Sequence, residues 1–292
     1  FAVPVFIMIS GCVLLGKNIS IRKFYLSKGV RLIPAILFWS LFYIFFDYIY
    51  NDTKLSSIIW VLKYGLFISG SAYYHLWYLP MFACLMLFVP FINNYIIGKK
   101  PKLEDFIFII VIFSFFMLLN QISIISRDYL NIDITWFKSF PWYIGYFIIG
   151  YFIDTYIDKI KISNFIPLTF IIAILIIVTS LNFYSSSNLG IVKETLFMHN
   201  TGIFDFILSI SIFYFFSSNR SKFKDFPIIS NISSKTFGIY LIHPVFLTIS
   251  SKYLINLKET IIYLPLLITI TFIFSYLSIL ILTRFKWFKS VC

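Results

Sequence analysis

The sequence predicts an all-α integral membrane protein, a polytopic helical bundle, and three observations predict it. Hydrophobic residues make up 60% of the 292 positions and charged ones only 12%, with a mean hydropathy of +0.91. A soluble fold of that composition would expose far more apolar surface than a globular monomer tolerates. The apolar residues run in segments of roughly 15 to 23, long enough at about 1.5 Å per residue to cross a hydrocarbon core of about 30 Å. Finally, the basic residues concentrate in alternate loops, as they do in membrane proteins of fixed orientation.

Taken in order, apolar spans are expected at 1–16, 30–50, 76–97, 104–120, 139–157, 164–183, 202–217, 234–250 and 261–283, nine crossings in all. The shorter stretch at 56–70 is interrupted by Lys63 and flanked by polar loops, so it reads as an amphipathic helix lying in the interface. One set of loops carries Lys17 to Arg31, Lys99 to Lys102, Lys159 and Lys161, Arg220 to Lys235, and Arg284 to Lys289, seventeen of the 24 Lys and Arg. Because short basic loops stay in the cytoplasm, that set and the C-terminus are expected inside. Phe1 then lies outside, and the expectation is that one more helix precedes it. Residues 1–292 are thus read as a single membrane domain truncated at its N-terminus, with ten helices in the intact protein. Tyr and Trp near span ends, such as Trp77, Tyr78, Trp142 and Trp287, fit interfacial anchoring.

Several function classes fall away. The net charge of +12 follows membrane topology and forms no basic stripe in a soluble domain, so no nucleic-acid partner is expected. Cys12, Cys84 and Cys292 are scattered without metal-ligand spacing and read as small buried apolar residues, so no metal is expected. There is no internal repeat, no Walker A sequence, no GxSxG elbow and no HExxH site. The bias toward Ile, Phe, Asn and Lys points to an AT-rich, bacterial genome.

Ionisable groups in or beside spans are costly to bury and are functional candidates for that reason. His75 opens the third span in "YYHLWYLP", and His243 sits in the outer half of the eighth in "FGIYLIHP". His199 precedes the seventh span, and Asp205 follows within one or two turns. An imidazole titrating near neutrality can take a proton from a hydroxyl during attack on a carbonyl. The other reading of the same residues is an interfacial histidine bonded to a nearby carbonyl. On the inner side "SKGVRLIP" spaces Lys28 and Arg31 three apart, able to share a helical face and bind phosphates. Their other reading is the positive-inside signal itself. Pro34, one turn on, is placed to break the helix ladder and open a cavity.

Five stretches together resemble the acyltransferase-3 family of multi-spanning membrane acyltransferases: "AVPVFIMISGCVLLG" (2–16), "FYLSKGVRLIPAILFWS" (24–40), "HLWYLPMFACLMLFVPFI" (75–92), "WYIGYFIIGYFID" (142–154) and "SSKTFGIYLIHPVFL" (233–247). The resemblance implies ten helices and transfer of an acyl group, usually acetyl, from cytoplasmic acyl-CoA to a hydroxyl of a cell-surface or exopolysaccharide sugar. Acetyl-CoA is then a co-substrate, with no bound cofactor. Lys28 and Arg31 match the family's RxxR donor-binding pair, with Lys replacing the planar fork of the first Arg. The family's principal catalytic histidine belongs to a first helix that these residues do not carry, so residues 1–292 alone are expected to be inactive. His75 and His243 match the "HLW" and "YLIH" patterns and are the catalytic candidates here, as residues that line the site rather than replacements for that first-helix histidine. Trp77, Tyr78, Tyr240 and Asp205 are candidates for lining the site, the aromatic ones as donors to an oxyanion or positioners of the sugar. The expected partners are membrane lipids, a surface polysaccharide or lipid-linked sugar acceptor, and polysaccharide synthase components. The rival class is a polysaccharide exporter, which would be expected to show repeat symmetry or paired broken helices.

Overall fold

In a computed structural model of the chain, the residues described are 1–29, 32–50, 73–99, scattered positions between 103 and 125, 142–189, 197, 199–223, 226–288 and 291. Among them there are helices and no strands. In chain order the α-helices are α1 (Ala2–Leu14), α2 (Ile21–Phe24), α3 (Leu32–Tyr50), α4 (Tyr78–Lys99), α5 (Trp142–Tyr156), α6 (Phe165–Leu189), α7 (Ile203–Ser218), α8 (Arg220–Phe223), α9 (Pro227–Ser233), α10 (Thr236–Tyr253) and α11 (Tyr263–Leu282). A π-helical turn, Tyr25–Gly29, follows α2. Proline marks several starts: Pro227 is the first residue of α9, and Pro80, Pro167 and Pro265 are each the third of their helix. In the first turn an N–H has no intrahelical partner, so its loss costs nothing there.

By length and apolarity, Ile21–Tyr50, Met81–Gly98, Phe165–Ser187 and Tyr263–Leu282 can each cross a membrane. The pair α9 and α10, bent by 70° at the break between them, makes up to a fifth. Helices α1 and α7 are apolar but only 13 and 16 residues long, about 20–24 Å of rise against a core of about 30 Å. Helix length alone therefore carries four or five of the nine expected crossings among the described residues. Part of the expected 104–120 span and the whole of 56–70 lie outside those residues.

The chain divides into two compact units, Phe1–Asn18 with Phe88–Lys222, and Ile19–Leu87 with Phe223–Cys292. In the first unit α1 and α5 meet backbone to backbone. A Cβ on Gly11 would stand 1.9 Å from the Phe147 carbonyl oxygen, and one on Gly150 would stand 2.2 Å from that of Met8. The two glycines thus remove side chains from opposite sides of one crossing, the small-residue packing that membrane helices use in place of a hydrophobic driving force. Cys12 Sγ donates to Gly150 O across it at 3.0 Å. The C-terminus of α1 is closed by the buried Asn93 of α4, which donates to Leu14 O (3.1 Å) and accepts from Gly16 N–H (2.7 Å). Gly16 has a φ of 74°, a turn that residues with a Cβ rarely adopt. Gly150→Val is expected to destabilise the protein by at least about 1–3 kcal/mol, read as a lower melting temperature in detergent. A surface glycine such as Gly98, which has nothing within 4 Å, should tolerate the same change.

The second unit is built on aromatic residues. Along α3, Phe38, Phe42, Phe46 and Tyr50 stack at four-residue spacing, with centroids 5.3–6.4 Å apart. On another face of α3, Trp39 Nε1 donates to Val291 O at 2.9 Å. Gly238 of α10 lets α11 close in, since its missing Cβ would stand 2.9 Å from Ile279.

Candidate functional site

His243 stands directly before Pro244 inside α10, and the proline determines what the imidazole does. Pro244 has no N–H to give the carbonyl of Tyr240 four residues back, and its ring disturbs that turn. The vacated oxygen accepts instead from His243 Nδ1 at 2.7 Å. A carbonyl only accepts, so the proton sits on Nδ1 and the lone pair on Nε2.

The next carbonyl of the loosened turn, Leu241 O, takes two side-chain donors, Tyr43 Oη of α3 at 2.7 Å and His75 Nε2 at 3.3 Å. The same argument puts the His75 proton on Nε2 and its lone pair on Nδ1. His75 lies in the turn leading into α4, where Tyr240 Oη donates back to its carbonyl. The two imidazole centroids are 5.5 Å apart with planes at 75°, and Tyr43 and Tyr240 stand edge-on to His75 at 4.9 and 5.5 Å. Tyr73 stacks on Tyr43 at 4.6 Å. His75 is 5% exposed, and among the described residues its Nδ1 is buried with no hydrogen-bond partner. A buried acceptor left open in this way is suited to an incoming O–H.

Burial, reinforced by the neighbouring His243, pulls the His75 imidazole far below its ordinary range, to about 3. His75 is therefore neutral at physiological pH. In the unfolded chain it protonates below about 6.5, so its contribution to stability is complete above that pH and is lost as pH falls toward 3. The expected loss is about 1.4 kcal/mol per pH unit across that window. Melting temperatures between pH 7.5 and 5 should fall more steeply for the native protein than for His75→Gln; parallel slopes would contradict the neutral, buried imidazole.

The remaining candidates divide. Tyr240 belongs to the cluster, and Tyr78, buried and stacked on Phe82, reaches it with its ring 5.6 Å from that of Tyr240. Trp77 precedes Tyr78, with ring centroids 6.5 Å apart. Asp205 and His199 belong to the first unit. Asp205, fully buried in the first turn of α7, has the Phe1 nitrogen 2.7 Å from Oδ1, while His199 Nδ1 lies 2.8 Å from Thr201 Oγ1. The side chain of Lys28 and all of Arg31 lie outside the described residues; the backbone at Lys28 is in the π-helical turn. The sequence reading missed Tyr43 and the part played by Pro244. The His-Pro dipeptide inside an apolar span was the available signal for the second, whereas Tyr43 is one aromatic among many in α3.

Long apolar helices with a largely buried, hydrogen-bonded pair of histidines between them define a helical membrane protein that holds polar groups in apolar surroundings. Compared with known families, the acyltransferase domain of the acyltransferase-3 family matches residues 1–280. The chain belongs to that family and is a membrane acyltransferase. No curated protein and no solved structure matches it.

Proposed function

We infer that the protein transfers an acyl group, acetyl in the simplest case, from acyl-CoA to a hydroxyl of a surface or exopolysaccharide sugar. The observation that carries this reading is the open, buried His75 Nδ1 beside His243. In this reading the base lies in the pair rather than in the first-helix histidine that the family resemblance implies: the acceptor hydroxyl donates to the pair, and its proton passes to a lone-pair nitrogen as the oxygen attacks the thioester carbonyl. The C–S bond breaks, and the proton leaves on the CoA thiol. His243 Nε2 is the better base: its ring gives the shorter carbonyl bond, 2.7 Å against 3.3 Å, and burial beside His243 holds the His75 imidazole far below its ordinary range. Tyr78, Tyr240 and Trp77 position the sugar or donate to the oxyanion, and Asp205 remains a lining candidate. Lys28 and Arg31 hold the donor phosphates, a role supported by their spacing and family pattern. The loop charges favour a multi-pass plasma-membrane protein with a cytoplasmic C-terminus, drawing on lipid-linked or polymeric acceptors and working beside a polysaccharide synthase.

The test compares surface polysaccharide from cells with and without the full-length gene, by NMR before and after mild alkali. Loss of base-labile acyl groups with polymer still at the surface supports the transferase. Loss of the polymer itself would favour an exporter.

A further inference from the structure

The first unit contains a cleft of about 330 Å³ whose walls include none of the histidine cluster, lined by Phe152, Ile162, Phe170, Phe206 and Ile210 among others. Its size falls within the range of small-ligand pockets, about 300–1,000 Å³. The polar atoms around it are already bonded within the protein. Ser114 and Ser211 donate to the carbonyls of Ile110 and Ile207, both at 2.8 Å. Tyr214 Oη donates to Ile160 O at 2.6 Å and accepts from Ile162 N–H at 3.2 Å. Among the described residues nothing in the walls is left to hold water, so the fitting occupant is hydrocarbon.

The mouth has the opposite character. Tyr214 pins the segment "DKIKIS" (158–163) along the cleft so that Ile160 and Ile162 enter its wall while Lys159 and Lys161 stay exposed. Lys159 Nζ lies 5.3 Å from the Tyr156 ring centroid. The segment is joined to the end of α7 through Asn164 and Asn219 (3.1 Å), next to Arg220 and Lys222. Among the described residues the nearby carboxylates are Asp158 and Asp154, and Asp154 is taken by Arg220 at 2.9 Å. Among those residues cations therefore outnumber carboxylates at this end. Beside the cleft α6 exposes Phe165, Ile166, Phe170, Ile172 and Ile176, the surface a helix presents to lipid.

We propose that the cleft holds one fatty-acyl chain of an anionic phospholipid from the surrounding bilayer, with its phosphate on Lys159 and Lys161. The hydrocarbon walls select the chain, and the excess of cations selects the headgroup. In the test, the delipidated whole protein in detergent is titrated separately with dioleoylphosphatidylglycerol and dioleoylphosphatidylcholine, and bound lipid is counted by native mass spectrometry. One phosphatidylglycerol should bind about tenfold or more tighter than phosphatidylcholine, two lysines each favouring the anion. Lys159→Gln with Lys161→Gln, both at exposed positions, should bring that ratio to about one. Ile162→Trp, at the exposed rim, should weaken both lipids by obstructing the cleft. Equal affinity in the native protein, an unchanged ratio in the double variant, or native binding by Ile162→Trp would each overturn the proposal.

Discussion

His243→Ala is expected to lower acyl transfer by about 10²–10⁴-fold in membranes from cells expressing the complete gene, with protein level and melting temperature close to native. Alanine is compatible with α10 and removes Nε2, the lone pair that the bond from Nδ1 to Tyr240 O leaves facing away from the backbone. What it leaves behind is a carbonyl without its donor, which costs about 1–3 kcal/mol at most and is eased where water reaches it. The measurement is transfer of label from acetyl-CoA to acceptor, normalised to protein by immunoblot. His75→Ala serves as the companion variant, since His75 shares Leu241 O with Tyr43. Native rates in both variants would place the base outside this pair.

Pro244→Ala is expected to cost about 10–100-fold without touching any group that contacts substrate, through misorientation of a general base. Alanine restores the N–H that an unbroken helix would give Tyr240 O, so that oxygen no longer depends on His243. The imidazole then loses the bond that sets its tautomer and rotamer, and the turn carrying Leu241 O tightens away from Tyr43 and His75. The discriminating readout is the ¹⁵N spectrum of histidine-labelled protein, in which the His243 signal should move from one tautomer toward a mixture. A melting temperature equal to or above native is expected, because a helix-interior proline is being removed. Lost activity with an unchanged tautomer would mean that Pro244 acts by some other route.

Much of the helical layout was legible because apolar run length and first-turn prolines are local properties of sequence. Pro167 and Pro265 each stand two residues inside the helix they open, within a residue or two of the expected span starts. The number of crossings was less legible. Runs such as 1–16 and 202–217 are apolar overall, yet their helices measure 13 and 16 residues, and composition does not reveal where hydrogen bonding stops. The pairing of His75 with His243 was beyond reach, because 168 positions separate them and neither flank names the other. Each was singled out alone, as a polar group in apolar surroundings. Tyr43 carried no signal of its own, since its hydroxyl sits in a long run of aromatic and aliphatic residues that also holds Tyr48 and Tyr50. The Gly11 and Gly150 crossing was hidden for a related reason: a glycine in a span looks the same whether it faces lipid or another backbone.

The interleaving of the two units has a consequence for how the protein is made. Residues 1–18 open the first unit, but α5 and α7, against which α1 packs, begin only at Trp142 and Ile203. The second unit begins at Ile19 and stays open until α10 and α11 arrive. His75 and the Tyr240 hydroxyl that bonds its carbonyl are 165 residues apart, roughly 10–30 s of synthesis. Throughout that interval Tyr43 and His75 have no Leu241 carbonyl to donate to. Assembly of the His75–His243 cluster is therefore among the last events of biogenesis, and a chain halted before Thr236 can enter the bilayer but holds no formed cluster.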